Sequence, residues 1–138
     1  MNPTELVRLA KTAMQRAYVP YSGYKVGAAL LTKGGKVYLG CNIENAAFGP
    51  SNCAERTAFF TAIAAGETEF ESIAVVGGKD GVVTDIFPPC GVCRQVMQEF
   101  CAPDFMIYMG RGDDSYEAVP LEQLLPCGFN AAKYMSAK

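Results

Sequence analysis

Three cysteines in two short segments constrain the fold of this chain most. The first segment, 53–55, reads Cys-Ala-Glu, and the second, 89–93, reads Pro-Cys-Gly-Val-Cys. If the three thiolates bind one metal ion, the fold has to bring the two segments together. Structural zinc sites use four protein ligands, whereas catalytic sites use three and keep the fourth position for water or substrate. The pattern therefore predicts a reactive zinc site, with Glu55 as the base beside the water.

Both segments are predicted to begin helices. Apolar residues at helical spacing follow Cys53 as far as Gly66, and a similar run follows Cys90. Helix N-termini carry free N–H groups and a partial positive charge, which lower the pKa of a cysteine. The i, i+3 spacing of Cys90 and Cys93 places both sulfurs on one side of the first turn. We expect Cys53 to complete the set from the neighbouring helix.

Three thiolates on Zn²⁺ leave a net charge near −1, which makes a bound water less acidic. A positive group is therefore needed nearby. Arg56 stands one turn after Cys53, and Arg94 adjoins Cys93. We expect Arg56 to donate a hydrogen bond to a thiolate, with Arg94 as the alternative.

The same residues also have simpler interpretations. Asn52-x-x-Glu55 resembles a helix capping box, in which the carboxylate only bonds to the cap backbone. The Cys-x-x-Cys pair at 90–93 is also typical of a redox pair, or of a structural four-cysteine zinc site completed by Cys41 or Cys101. An arginine on a helix, such as Arg94, is usually just solvated. The joint occurrence of the two segments at two helix starts favours the zinc site.

The composition of the chain excludes several classes of function and indicates where the protein is located. The chain has 138 residues, half of them apolar, with a net charge of −2 and no histidine. Without histidine, a Ser-His or Cys-His nucleophile is excluded. No Lys/Arg cluster marks a nucleic-acid surface, and a small neutral substrate is favoured. No apolar run suits a membrane span and no export signal is visible, so we expect a cytoplasmic protein whose cysteines bind metal.

The predicted elements indicate one α/β domain over residues 1–138. The turn from Gly110 to Ser115 is too short for a parallel crossover, so the strands on either side of it are predicted to be antiparallel and the sheet to be mixed. The predicted helices run to about residue 17, from 53, from 90 and over 121–125, and the predicted strands are 26–31, 36–43, 72–76, 105–109 and 116–119.

Several motifs together resemble the small cytidine deaminases with three cysteine zinc ligands. They read Gly-Cys-Asn-Ile-Glu-Asn-Ala-Ala at 40–47, Cys-Ala-Glu-Arg-Thr-Ala at 53–58 and Pro-Cys-Gly-Val-Cys-Arg-Gln at 89–95. Pro-Tyr-Ser at 20–22 and Leu-Leu-Pro at 124–126 extend the resemblance over nearly the whole chain. It implies a three-layer α/β/α sandwich around a mixed five-stranded sheet, in a homotetramer with its sites at subunit interfaces.

The resemblance also implies a reaction, the hydrolytic deamination of cytidine and 2′-deoxycytidine to the uracil nucleosides and ammonia, in pyrimidine salvage. Zinc deaminases carry a glutamate that is not a metal ligand but moves protons. By this resemblance, Cys53, Cys90 and Cys93 bind one Zn²⁺ per subunit. Zinc-bound hydroxide attacks C4 of the base, and Glu55 shuttles the protons.

The expected substrate contacts lie in four parts of the chain. Asn42 and Glu44 are two apart at a predicted strand end, so they share one face, and the family uses them to bind the ribose hydroxyls. Glu44 also repels a nearby phosphate, which favours a nucleoside over a nucleotide. Tyr24 and Phe48 stand where relatives often have Phe and Tyr. The expected contacts to the base are Tyr24, Phe48, the backbone of Ala54, and Phe129 from a neighbouring subunit.

Three other functions stay open on the sequence alone. Another deaminase of the superfamily, acting on blasticidin, a nucleotide or a tRNA adenine, would share the zinc motif, although the Asn42-x-Glu44 pair argues against it. A non-enzymatic zinc module would need a fourth protein ligand and would not depend on Glu55. A thiol redox protein would oxidise Cys90 with Cys93 and would hold no stoichiometric metal.

Overall fold

The computed structural model describes residues 1–131 and 135. Its strands and helices follow the predicted order. They are α1 (Pro3–Met14), β1 (Tyr24–Thr32), β2 (Val37–Cys41), α2 (Ala54–Ala64), β3 (Phe70–Lys79), α3 (Gly91–Phe100), β4 (Met106–Gly110), β5 (Tyr116–Pro120) and α4 (Leu121–Leu124). In this part of the chain, no helix is long and apolar enough to cross a membrane.

The five strands form one mixed sheet in the order β2-β1-β3-β4-β5. β3 and β4 pair in parallel, and the other neighbours pair antiparallel. A parallel pair needs a crossover connection, and α3 provides it between β3 and β4. The tight turn before β5 makes the last two strands antiparallel, as predicted from its length.

Residues of the same strand contribute to two separate hydrophobic cores, because successive side chains point to opposite faces of the sheet. Ala28 and Leu30 of β1 pack in the core that includes the buried residues of α2. Ala29 and Leu31 pack in the core that includes those of α1. Helices therefore cover both faces, and the predicted α/β/α sandwich is confirmed.

Two glycines let helices rest directly on the sheet. A Cβ on Gly40 of β2 would overlap the carbonyl of Ala54 and lie 2.5 Å from the backbone nitrogen of Ala58. Gly27 of β1 faces α1 in the same way, because its Cβ would lie 2.5 Å from the nitrogen of Met14. The contact at Gly40 fixes the first turn of α2 against β2.

Several element boundaries differ from the sequence-based predictions, most of all that of β3, which spans Phe70–Lys79 and not only 72–76. α1 ends at Met14, not near Ala17, because the N–H groups of residues 15–17 bond to the carbonyls three positions back, as in a tighter 3₁₀ turn. β2 ends at Cys41, and Ile43 forms only isolated bridges. The segment between β2 and α2 is therefore irregular.

Candidate active site

The side chains of Cys53, Cys90 and Cys93 converge at the N-termini of α2 and α3. Their Sγ atoms all lie within 4.8 Å of one another, and 3.6 Å separates the sulfurs of Cys53 and Cys90. Zn–S bonds of about 2.3 Å in a tetrahedral site place the sulfurs about 3.8 Å apart. The spacing of these sulfurs is therefore compatible with one zinc ion bound by all three.

Cys53 and Cys90 are the N-cap residues of their helices. Both have extended backbone angles, with φ −74 and ψ 156 at Cys53 and φ −69 and ψ 168 at Cys90. The backbone N–H of Cys93 donates to the Cys90 sulfur at 3.4 Å. Free N–H groups and the partial positive charge of a helix start favour negatively charged groups at this position.

Arg56 supplies the positive charge that three thiolates require. Its Nη2 atom donates to the Cys53 sulfur at 3.2 Å, and its buried Nε has no hydrogen-bond partner within the described residues. The hydrogen bond from Cys93, with a further one from Arg56, lowers the pKa of Cys53 to about 5. The same bond to Cys53, together with burial, raises the pKa of Cys93. Arg56 thus stands where the sequence analysis placed it.

Arg94 has a different role from the one considered for it. Its Nε donates to the carbonyl of Pro89 at 2.8 Å, and its Nη1 donates to the carbonyl of Leu124 at 2.7 Å. The adjacent Gln95 donates to the carbonyl of Phe129 at 2.9 Å. Arg94 is therefore neither a solvated residue nor a thiolate donor. These residues tie α3 to the segment that follows β5.

Glu55 is buried in the first turn of α2, with 2% of its surface exposed. Burial raises the pKa of Glu55 to about 7, and the charge of Cys53 adds to this increase. A carboxyl that titrates near neutral pH can accept a proton and return it. The capping-box interpretation is wrong, because the N-cap is Cys53 and has no side-chain cap bond. Asn52 instead donates to the hydroxyl of Thr57 at 3.1 Å.

Cys41 and Cys101 do not join the three-cysteine cluster. Cys41 ends β2, and Cys101 follows α3, where burial raises its pKa to about 12. Within residues 1–131, the cluster of candidate metal ligands consists of the three cysteines at the helix starts. The four-cysteine alternative therefore finds no support in the described part of the chain.

A cavity of about 440 Å³ opens beside the cluster, in the size range of small-molecule sites. A second cavity of about 300 Å³ adjoins it and shares Glu44, Phe48 and Ser51 with it. The larger cavity is lined by Asn42, Glu44, Phe48, Gly49, Ser51, Asn52, Cys53, Arg56 and Val92.

Asn42 and Glu44 line the same cavity, although β2 ends before them, so they do not share the face of a strand as their spacing predicted. The side chain of Asn42 is not simply exposed to solvent but bonds to the backbone of β1. Its Oδ1 accepts from the backbone N–H of Val26 at 2.9 Å, and its Nδ2 donates to the carbonyl of Tyr24 at 2.8 Å. The carboxamide is therefore held in a fixed orientation against β1.

The Glu44 carboxylate is bound by the loop before β1. Oε1 accepts from the backbone N–H groups of Tyr21 at 3.0 Å and Ser22 at 3.1 Å, and Oε2 accepts from the Ser22 hydroxyl. The Ser22 hydroxyl is the main reason that the pKa of Glu44 is lowered. The sequence analysis did not assign Ser22 to the site, although Pro-Tyr-Ser at 20–22 was among the motifs that carried the resemblance.

The aromatic residues expected at the base are partly exposed. Phe48 is 76% exposed, lines both cavities and has a positive φ of 56. Tyr24 packs 6.2 Å from Phe87, measured between ring centroids, and Phe129 is 53% exposed. Ala54, whose backbone was expected to contact the base, is fully buried at the start of α2.

Comparison with known proteins agrees with this geometry. The family model described as the cytidine and deoxycytidylate deaminase zinc-binding region matches residues 1–109. The chain is 45% identical over 130 residues to a cytidine deaminase of Sporosarcina psychrophila, covering 94% of this chain and 93% of that protein. For a cytidine deaminase of Halalkalibacterium halodurans the identity is 46% over 131 residues, covering 95% and 96%.

Solved structures of cytidine deaminases also match this chain. The crystal structure of cytidine deaminase from Burkholderia pseudomallei matches with a TM-score of 0.86 at 46% identity, covering 94% of this chain and 100% of that one. That of cytidine deaminase from Mycobacterium tuberculosis matches with a TM-score of 0.80 at 34% identity, covering 94% and 98%. This chain therefore belongs to the cytidine and deoxycytidylate deaminase family.

Proposed function

We propose that this protein is a zinc-dependent cytidine deaminase. It converts cytidine or 2′-deoxycytidine and water to uridine or 2′-deoxyuridine and ammonia. The observation that carries the proposal is a buried glutamate, Glu55, placed next to a three-thiol cluster in a chain of this family. A structural zinc site has no use for such a carboxyl.

Cys53, Cys90 and Cys93 hold one zinc ion per subunit in this proposal. When bound, zinc is a Lewis acid that turns a water molecule into a nucleophile near neutral pH. Arg56 opposes the excess negative charge of the thiolates through its bond to Cys53.

Glu55 moves the protons of the reaction. The carboxylate accepts a proton from the attacking water and delivers it to N3 of the base while oxygen bonds to C4. It then takes the remaining proton of that oxygen and gives it to the amino group, the C4–N bond breaks, and ammonia leaves. The product gains a C4 carbonyl and a proton on N3. The raised pKa of Glu55, about 7, suits both halves of this cycle.

Asn42 and Glu44 bind the sugar in this proposal. Asn42 Nδ2 uses one of its two hydrogens on Tyr24, so the other is available to a hydroxyl. Glu44 accepts three hydrogen bonds from the loop, and an ionised carboxylate has about four acceptor positions. Its negative charge favours a nucleoside over a nucleotide.

We also propose that residues 1–138 form a single catalytic domain that assembles into a homotetramer. Tyr24, Phe48 and the Ala54 backbone contact the base, and Phe129 reaches it from a neighbouring subunit. The exposed rings of Phe48, Phe129 and Phe60 support an assembly that covers them. A cytoplasmic location and a role in pyrimidine salvage complete the proposal, because thiol ligands stay reduced in that compartment.

Incubating the purified zinc-loaded protein with cytidine, and measuring uridine and ammonia, tests this function. The Glu55→Gln variant should keep its zinc and lose about 10²- to 10⁴-fold in kcat. Glu99→Gln on the exposed side of α3 is the matched control and should keep full activity. Cytidine monophosphate should react more slowly than cytidine. No turnover of cytidine by the wild type would refute the function, and full activity of Glu55→Gln would refute only the mechanism.

A further inference from the structure

The Ser22 hydroxyl lies between a predicted sugar-binding carboxylate and the start of the central sheet. It donates to Glu44 Oε2 and accepts from the backbone N–H of Tyr24, the first residue of β1, at 3.0 Å. The backbone N–H of Ser22 also donates to Glu44 Oε1. One residue thus contacts both oxygens of the carboxylate and fixes their positions relative to β1.

Ser22 is itself held in place from the other side. Lys79, the last residue of β3, donates from Nζ to the carbonyl of Ser22 at 2.7 Å. The backbone N–H of Asp80 donates to the carbonyl of Gly23 at 2.7 Å. The loop that presents the hydroxyl is therefore anchored to the ends of two central strands.

Glu44 lies where the two cavities meet. The smaller cavity is lined by Ser22, and the larger one by Cys53 and Arg56, while Glu44 lines both. A carboxylate at such a boundary can rotate toward either cavity unless both oxygens are restrained. Groups that lock a binding side chain in its productive rotamer raise affinity by reducing the entropy lost on binding.

We propose that Ser22 is a positioning residue for Glu44, and that its hydroxyl sets how strongly the site recognises the sugar hydroxyls of the nucleoside. This inference rests on the proposed function. Tyr21 contributes only a backbone N–H to Glu44, which any residue except proline supplies, whereas the Ser22 contact depends on its side chain. Proton transfer is assigned to Glu55 and not to Ser22. The Ser22 hydroxyl therefore acts on substrate binding and not on chemistry.

Steady-state kinetics of the zinc-loaded enzyme test the proposal. Ser22→Ala should raise the KM for cytidine by about 3- to 10-fold, as the loss of one hydrogen bond does, with kcat unchanged. Ser22→Thr keeps the hydroxyl and should restore most of the wild-type KM. With 2′,3′-dideoxycytidine, which lacks the hydroxyls to be recognised, the effect of Ser22→Ala should disappear.

A double-mutant cycle separates positioning from a general structural effect. In a Glu44→Gln background, Ser22→Ala should change kcat/KM much less than in the wild type, because its target is already altered. Ser115→Ala is the matched control, since it removes a serine-to-carboxylate bond to Asp113 elsewhere, at 2.6 Å, and should leave the KM unchanged.

The possible results are distinct. If the wild type deaminates cytidine and Ser22→Ala has the wild-type KM, or if its effect is the same with and without Glu44, the positioning role is wrong and the function stands. If the wild type does not deaminate cytidine, the proposed function and this inference are both wrong.

Discussion

The guanidinium of Arg56 bonds directly to the sulfur of Cys53, with 3.2 Å between Nη2 and Sγ. A charged donor on a thiolate lowers its pKa and reduces the negative charge that three sulfurs would place on zinc. Metal affinity and thiolate stability therefore depend on the same hydrogen bond.

Replacing Arg56 by Gln should weaken zinc binding by about 10- to 100-fold, the usual effect of losing a partner that supports a metal ligand. The zinc affinity of Arg56→Lys should lie between those of the wild type and Arg56→Gln, because lysine keeps the charge but not the planar guanidinium. Competition with a chromogenic chelator measures the affinity. Arg16→Gln, at an exposed arginine in the turn after α1, is the control. Equal zinc affinity in wild type and Arg56→Gln would contradict this account.

Replacing Gly40 by Ala should damage both the fold and the metal site. The added methyl would collide with the backbone of α2 at Ala54 and Ala58, so the helix that carries Cys53 has to shift. We expect a loss of about 3 kcal/mol or more in the free energy of unfolding, together with reduced zinc content. Urea denaturation and metal analysis measure these quantities. Gly34→Ala in the hairpin turn, where the nearest atom is 3.8 Å away, should be nearly neutral.

Replacing Arg94 by Ala should destabilise the protein by about 2 to 4 kcal/mol, because two partly buried carbonyls lose a charged donor. Arg94→Lys should not restore stability, since one ammonium group cannot reproduce the spacing of the guanidinium nitrogens. Gln95→Ala removes a single bond, to Phe129, and should cost less. Thermal and urea unfolding compare the three variants. A loss below about 0.5 kcal/mol for Arg94→Ala would show that the two bonds do not stabilise the fold.

Acid should selectively remove the contribution of Asp114 to stability. The carboxylate accepts from Lys11 and, at 3.0 Å, from Arg8 of α1, and the Lys11 bond is the main cause of its lowered pKa. Since the pKa is lower in the folded than in the unfolded state, the contribution is present above the unfolded pKa of about 3.9 and is lost as the pH falls through the folded value.

The Asp114→Asn variant isolates this effect. Asparagine tolerates the positive φ of 72 at this position, so the backbone is preserved while the titrating group is removed. Wild type should be more stable than the variant at pH 7, and the difference should disappear at an acid pH below the lowered folded-state pKa of Asp114. Denaturant melts at both pH values provide the test. A difference that stays constant across this range would mean that the ion pairs contribute nothing.

The paired arrangement of Cys90 and Cys93 was predictable from sequence because its geometry is local. An N-cap cysteine and a second cysteine one turn later face the same side of a helix start whatever surrounds them. Glu55 could be named from the sequence as a candidate base, but its burial could not be predicted, since burial depends on how α2 packs on β2. The mixed sheet followed from the length of the turn before β5.

The loop contacts could not be read from the sequence. Ser22 and Glu44 are 22 residues apart in segments without periodicity, and only the pairing of β1 with β2 brings them together. The contacts of Arg94 could not be predicted either, because its acceptors are backbone carbonyls, which every residue has. Tertiary contacts of this kind depend on how distant segments pack together, which the local sequence pattern does not show.

The direct contact between β2 and α2 at Gly40 holds the helix start that carries Cys53 independently of the loops. The metal-holding helix start rests on backbone atoms, with no side chain between them to be exchanged. Asn42, Glu44 and Phe48, three of the residues proposed to contact the substrate, lie on the irregular segment after β2. In such a scaffold, preference among nucleosides can diverge through loop substitutions while the hydrolytic centre stays unchanged.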